Sequence, residues 1–264
     1  ERPLSVLVEV GAGRAGARDR AAVDAILAAI VRHPGLLVLD GVATYEGAVA
    51  TADPAETAAN IAALMRRTAE AFALVRSLAP ERPLLLTAGG SAFFDMVVTG
   101  LAPVAAMDGN ATLVLRSGAI FFHDHGVYER ALGALDARQG FACGSAAAAD
   151  FRPALRLWAE VLTRPEPELA ICGFGMRDAS FDQGLPRPLR VHRDGSALSA
   201  EGLRVTRLND QHAFVAVPAG HDLAVGDIVE FGISHPCTCI DRWRVLFGLG
   251  ADGRVRSAYR TFFG

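Results

Sequence analysis

The stretch G-L-L-V-L-D-G-V-A-T-Y-E-G-A-V-A-T-A-D-P-A-E, residues 35–56, holds the transition that sets the fold. Residues 35–43 form an apolar run that reads as a buried strand. Asp53 can cap a helix, Pro54 suits the first helical position, and Glu56 stands where a capping-box acid belongs. Ile61, Leu64, Met65, Phe72 and Val75 then recur on one helical face until Pro80. Strand, loop and helix make the local unit.

The unit repeats on both sides. Residues 4–10 (LSVLVEV) read as a strand, and Asp19 opens a helix carrying Val23, Ile26, Leu27, Ile30 and Val31, closed by His33-Pro34-Gly35. Residues 83–89 (PLLLTAG) and 111–118 (ATLVLRSG) are two further strands, with a short helix near 128–137. Strands alternating with helices predict a parallel sheet, doubly wound or part of a barrel.

From residue 169 the texture changes. LAICGFG, PLRVH, LRVTRL, AFVAVP, DIVEFGI and RVRSAYRTFF are short strand candidates, with Asp-Gly turns at 194–195 and 252–253. The expected division is therefore an α/β domain over 1–165 and a β domain over 166–264. The boundary lies in T-R-P-E-P-E, where two prolines interrupt an expected helix.

The chain has 264 residues, 51% hydrophobic and 21% charged, enough to bury a substantial core. A net charge of −3 gives no reason to expect nucleic acid or a membrane surface as partner. With no spanning apolar run and no signal-peptide layout, a cytoplasmic protein is the expectation. Four cysteines, Cys143, Cys172, Cys237 and Cys239, are too few for a disulfide framework at this length. All 26 basic residues are arginine, so no side-chain amine can form a Schiff base.

Candidate chemistry sits at strand ends. In T-A-G-G-S (87–91), paired glycines let backbone N–H groups approach a phosphate, although a plain tight turn explains them equally. In S-H-P-C-T-C (234–239), His235, Cys237 and Cys239 alternate, so an extended chain would place all three on one face. Imidazole and thiolate are ligands for zinc, and two protein ligands would leave positions open for water or substrate. A strand end with inert cysteines is the plainer alternative. Arg14 could hold an anion or simply be a surface arginine, and Tyr45 is an active-site hydroxyl or a packing residue. His123-Asp124-His125 follows the fourth strand, where a solvated polar loop is the plain reading, and Asp210, Gln211 and His212 suit a turn.

Taken in order, V-E-V-G-A-G-R-A-G, Y-E-G, T-A-G-G-S, V-L-R-S-G with F-H-D, D-Q-G-L-P, N-D-Q-H-A and S-H-P-C-T-C-I-D-R-W-R resemble one family. It comprises the pyridoxal-phosphate enzymes that include D-serine dehydratase, D-threonine aldolase and bacterial amino acid deaminases, built on the alanine racemase fold. The resemblance implies the later half of a (β/α)8 barrel followed by a β domain, with pyridoxal phosphate at the barrel mouth and a divalent metal, zinc, beside it. It implies that Gly89, Gly90 and Ser91, with Arg14 and Tyr45, serve the cofactor, and that His235 and Cys237 bind the metal. Aldolase branches place an acid where Cys237 stands, so the resemblance leans toward a dehydratase. Cys239 has no role in it.

The expected activity is conversion of a D-serine-like 3-hydroxy amino acid to a 2-oxo acid and ammonia. Retro-aldol cleavage of D-threonine, or a non-catalytic metal- or phosphate-binding remnant, stays open. Relatives imply a homodimer. The family's lysine lies on the first barrel strand, and this sequence has about four barrel strands, no lysine and no initial methionine. The expectation is a C-terminal portion of a longer enzyme, since half a barrel leaves two open sheet edges, and one that is inactive alone because it has no lysine.

Overall fold

The computed structural model describes residues 2–140 and 147–263, and Cys143 falls outside them. Among the described residues, 2–118 with 134–140 make one compact unit and 119–133 with 147–263 make a second.

In the first unit four strands, β1 (Leu4–Val10), β2 (Leu37–Thr44), β3 (Leu84–Ala88) and β4 (Ala111–Leu115), form a parallel sheet in that order. Each strand pairs with the next in parallel. A doubly wound sheet reverses its strand order at a switch point, whereas a barrel wall runs sequentially. The sequential order settles the choice in favour of barrel wall.

Helices α1 (Arg20–Val31), α2 (Pro54–Leu78) and α3 (Phe94–Asp108) connect the strands. The Asp19 and Asp53 side chains cap α1 and α2 by accepting from Ala22 N and Ala55 N, each at 2.8 Å. Glu56 works one step removed from the expected capping box: it accepts from the Thr51 hydroxyl at 2.9 Å, and Thr51 accepts from Asp53 N. Val8, Val42, Leu84 and Leu86 pack with Val23, Leu27, Ile61, Leu64, Phe72, Val97 and Leu101 in one core. Leu85, pointing the other way, is 40% exposed.

Helix α3 was not anticipated. Gly100 and Pro103 lie inside it and read as breakers. The structure gives Gly100 a packing reason: a Cβ there would come within 2.8 Å of Met65 Cγ on α2.

In the second unit the residues before T-R-P-E-P-E, expected as helix, instead form β5 (Arg156–Glu166), which runs on into that stretch. Leu157, Ala159 and Val161 are buried in alternation, which is period two rather than 3.6. The division expected at 165/166 falls inside this strand. With β6 (Leu169–Cys172), β7 (Arg187–Arg193), β8 (Ser196–Leu198), β9 (Arg204–Leu208), β10 (Ala213–Ala216) and β11 (Ile228–Gly232), it forms a seven-stranded sheet. Its order is β8-β7-β11-β5-β6-β10-β9, antiparallel in every pairing. The Asp194-Gly195 turn joins β7 to β8 with both residues at positive φ, as the sequence predicts. A hairpin of β12 (Val245–Leu249) and β13 (Val255–Arg260) follows. The core includes Leu157, Val161, Val191, Val215 and Val229, with Phe174 and Phe231 rings tilted at 4.6 Å.

Helix α4 (Val127–Ala137) begins in this unit. Among the described residues no helix is long and apolar enough to cross a membrane.

Candidate cofactor loop and metal pair

In the first unit, Arg14, Tyr45 and Gly89-Gly90-Ser91 follow β1, β2 and β3, so strand direction gathers them at the carboxyl ends where ligands bind in such sheets. The Arg14 guanidinium lies 4.9 Å from the Tyr45 ring centre. A Cβ on Gly90 would come within 2.8 Å of that ring, so the loop after β3 passes close beneath the tyrosine. Gly89 has φ +110°, where a side chain would strain the backbone.

The N–H groups of this loop are already engaged. Glu46, fully buried, accepts from Gly89 N at 3.1 Å and Gly90 N at 2.6 Å, one through each carboxylate oxygen. Burial raises the Glu46 pKa against the pull of these amides and of Arg116. Arg116 donates to Thr87 Oγ1 and to the Thr44 carbonyl, tying the ends of β2 and β3. A phosphate on this loop would meet the two amides only by displacing a carboxylate. Of the other expected residues, Arg14 stacks over the Tyr45 ring and Ser91 is buried.

In the second unit, His235 and Cys237 are not on an extended face. Pro236 takes helical dihedrals, φ −61° and ψ −40°, and starts a helical turn over Cys237–Ile240. Its ψ, not its fixed φ, puts Pro236 in the helical region, so the alternation seen in sequence has no strand to act on. The turn also separates the cysteines: Cys237 is exposed, while Cys239 is buried with Sγ 3.8 Å from the Asp178 carbonyl. Burial raises the Cys239 thiol pKa and pushes that of Cys172 up to about 12.

Around His235 a set of contacts appears that sequence reasoning missed. Its Nδ1 is 2.7 Å from Asp182 Oδ2, and the other carboxylate oxygen accepts from the Thr238 hydroxyl at 2.7 Å. The backbone N–H of His235 donates to Ser180 Oγ at 3.1 Å. The Tyr128 ring meets the imidazole edge-on, centres 6.5 Å apart. Burial opposes, but the bonds from Thr238 and His235 hold, the Asp182 carboxyl below its ordinary range.

His123-Asp124-His125 is not a solvated loop. His123 and Asp124 are buried, and Asp124 caps α4 by accepting from Gly126 N at 2.6 Å and Tyr128 N at 3.1 Å. His123 has φ +49° and its buried Nδ1 has no hydrogen-bond partner among the described residues. His125 N and Val127 N donate to the Ile233 and Ser234 carbonyls, fixing the backbone just before His235. Burial, with Arg156 and Arg187 nearby, lowers the His125 pKa to about 4. Asp210, Gln211 and His212 form the turn between β9 and β10, where Asn209 N donates to the His212 carbonyl.

Among the described residues no cluster of three or more His, Cys, Asp or Glu is arranged to hold a metal. Asp182 occupies the Nδ1 of His235, leaving Nε2 as the ring's open nitrogen, and the exposed Cys237 thiol is two residues on, so the two are candidate ligands for an open site rather than a closed structural one.

Residues 154–249 match the family model described as "Putative serine dehydratase domain". No curated protein sequence matches the chain. D-threonine aldolase from Filomicrobium marinum is similar over 98% of this chain and 62% of its own, with 22% identity and a TM-score of 0.69. D-threo-3-hydroxyaspartate dehydratase from Delftia sp. HT23 is similar over 97% and 65%, with 22% identity and a TM-score of 0.61. An alanine racemase-like protein from Idiomarina loihiensis is similar over 98% and 64%, with 17% identity and a TM-score of 0.62. The chain spans less than two thirds of the length of each and has their fold. Two further structures of the dehydratase carry alanine in place of a histidine and of a cysteine two positions later, the second described as metal-free.

Proposed function

We propose, from the premise of a serine dehydratase-type domain at residues 154–249 on an alanine racemase-like fold, that this chain serves a metal-dependent lyase acting on D-3-hydroxy amino acids with pyridoxal phosphate. The observation that carries the reading is His235, held at Nδ1 by Asp182 and followed by the exposed Cys237. The spacing of the histidine and cysteine replaced in the related dehydratase is the same, and the structure with the cysteine replaced is described as the metal-free form.

The reaction proposed removes the β-hydroxyl and the α-hydrogen of a D-serine-like substrate, and water then releases ammonia and leaves a 2-oxo acid. Pyridoxal phosphate supplies an electron sink for the α-carbon. A divalent metal, zinc, supplies Lewis acidity toward the departing hydroxyl. This chain's residues hold and orient: His235 and Cys237 the metal, Arg14, Tyr45 and Ser91 the cofactor, while Gly89 and Gly90 shape the loop around Glu46. The 264 residues contain no lysine, so the side-chain amine that carries the cofactor has to come from outside them. A cytoplasmic homodimer without nucleic-acid or membrane partners belongs to the same proposal.

The test is an assay of the protein from its native source with pyridoxal phosphate and zinc on D-serine, D-threo-3-hydroxyaspartate and D-threonine. Ammonia with a 2-oxo acid is expected. Glycine with acetaldehyde from D-threonine would favour the aldolase reading, which the likeness to the aldolase supports. No product from any of them, with zinc bound, would leave the non-catalytic binding remnant. The 264-residue chain alone is expected to give no turnover.

A further inference from the structure

We propose that Asp182 is the positioning residue of the metal pair: its carboxylate holds His235 through Nδ1 so that Nε2 alone faces the ion. The inference rests on reading His235 and Cys237 as metal ligands and adds a residue that reading did not contain.

A carboxylate only accepts, so at 2.7 Å the Nδ1 of His235 donates to it, and in the neutral ring the lone pair is then on Nε2. Carboxylates that hold the far nitrogen of a ligating histidine fix both its tautomer and its ring orientation. Both Asp182 oxygens are committed, one to His235 and one to Thr238, which argues for an orienting role rather than a place in the coordination sphere. The two partners flank Cys237 in sequence, so one side chain fixes the turn on either side of the thiol.

The D-Q-G-L-P motif thereby acquires a function. Gly184 sits at φ +123°, and Asp182 and Gly184 form an isolated parallel bridge, so the backbone makes a tight loop immediately after Asp182. Only glycine takes that dihedral without strain. Backbone contacts complete the arrangement, because Ser180 Oγ accepts from His235 N and the main chain of residues 125 and 127 holds residues 233 and 234. The imidazole is then set by its backbone and by Nδ1 together.

The experiment measures cobalt and zinc affinity of the purified chain against a competing chelator. The thiolate charge-transfer band of the cobalt form reports Cys237, and long-range proton–nitrogen NMR of the metal-free protein reports the His235 tautomer. Asp182→Ala is expected to weaken binding roughly 10- to 100-fold with the thiolate band retained, and to abolish the single Nδ1-protonated tautomer. Thr238→Val removes the other oxygen's partner and is expected to shift affinity less than about threefold, since orientation of the imidazole is what matters.

Asp182→Ala binding as tightly as the unaltered chain would overturn the inference. So would Thr238→Val weakening binding as much as Asp182→Ala, which would make the carboxylate a mere staple of the turn. A coordination spectrum that changes in Asp182→Ala as it does in His235→Ala would make Asp182 a ligand and likewise overturn it. No metal bound by the unaltered chain, or unchanged binding in His235→Ala and Cys237→Ala, would instead overturn the metal pair beneath it.

Discussion

At the scale of single residues, the titrating groups of the second unit point to a measurable pH response. His125 has its pKa lowered to about 4, by burial first and by Arg156 and Arg187 next, so the folded chain keeps it neutral where the unfolded chain protonates it near 6.5. A depressed histidine contributes stability that is fully present above the unfolded value and is lost as pH falls toward the folded one. Between pH 6.5 and 4 the chain should therefore lose on the order of 2–3 kcal/mol through this residue. Urea unfolding of His125→Gln across that interval should show a flatter profile than the parent; parallel profiles would remove His125 as the cause. His235 and Cys237 were visible in the sequence because soft and borderline ligands so close together are uncommon. Their geometry was not, because Pro236 replaces the extended register with a turn. Asp182 and Glu46 were hidden for another reason: their partners lie 53 and 43 residues away, and no local pattern reports that distance.

At the scale of elements, the parallel strands were legible because strands buried between layers read as unbroken apolar runs. Segment 156–166 was not, since R-L-W-A-E-V-L-T-R suits a helix as well as a strand, and the prolines after it suggested a helix end. In the structure Thr163 pairs with Ile171 and Glu166 with Leu169, so Pro165 falls within a register shift and breaks no regular ladder bond. A second irregularity sits between β1 and β2, where Val6 pairs with Leu39 but Leu7 with Gly41. Gly41 has φ +141°, and a Cβ there would come within 1.9 Å of the Leu85 carbonyl oxygen. Gly41→Ala should cost about 2–4 kcal/mol, from dihedral strain and the forced separation of β2 from β3. A denaturation midpoint equal to the parent's would show that the bulge relaxes freely.

At the scale of the whole molecule, the expected cut at 165/166 conflicts with the way the chain is assembled. Strand β5 stands in the middle of the seven-stranded sheet, between β11 and β6, and residues 119–133 belong to the same unit. A fragment of residues 166–264 would lose a central strand and the segment bonded to residues 233 and 234. It should give a collapsed proton spectrum without dispersed amides, and a dispersed one would restore the sequence boundary as a folding boundary. The broad division into a parallel α/β part and an antiparallel part was legible from strand texture. The exact seam was not, because it is set by hydrogen bonds between distant segments. Those bonds carry one more consequence, for sequence drift. Where main-chain groups of 125 and 127 hold main-chain groups of 233 and 234, the hydrogen bonds that set the address of His235 do not depend on the side chain at 127, whereas Ile233 is fixed separately by its burial in the core. Gly126 is the exception, since a Cβ there would meet the Ser234 carbonyl at 2.6 Å, so glycine at that position should persist while its neighbours wander.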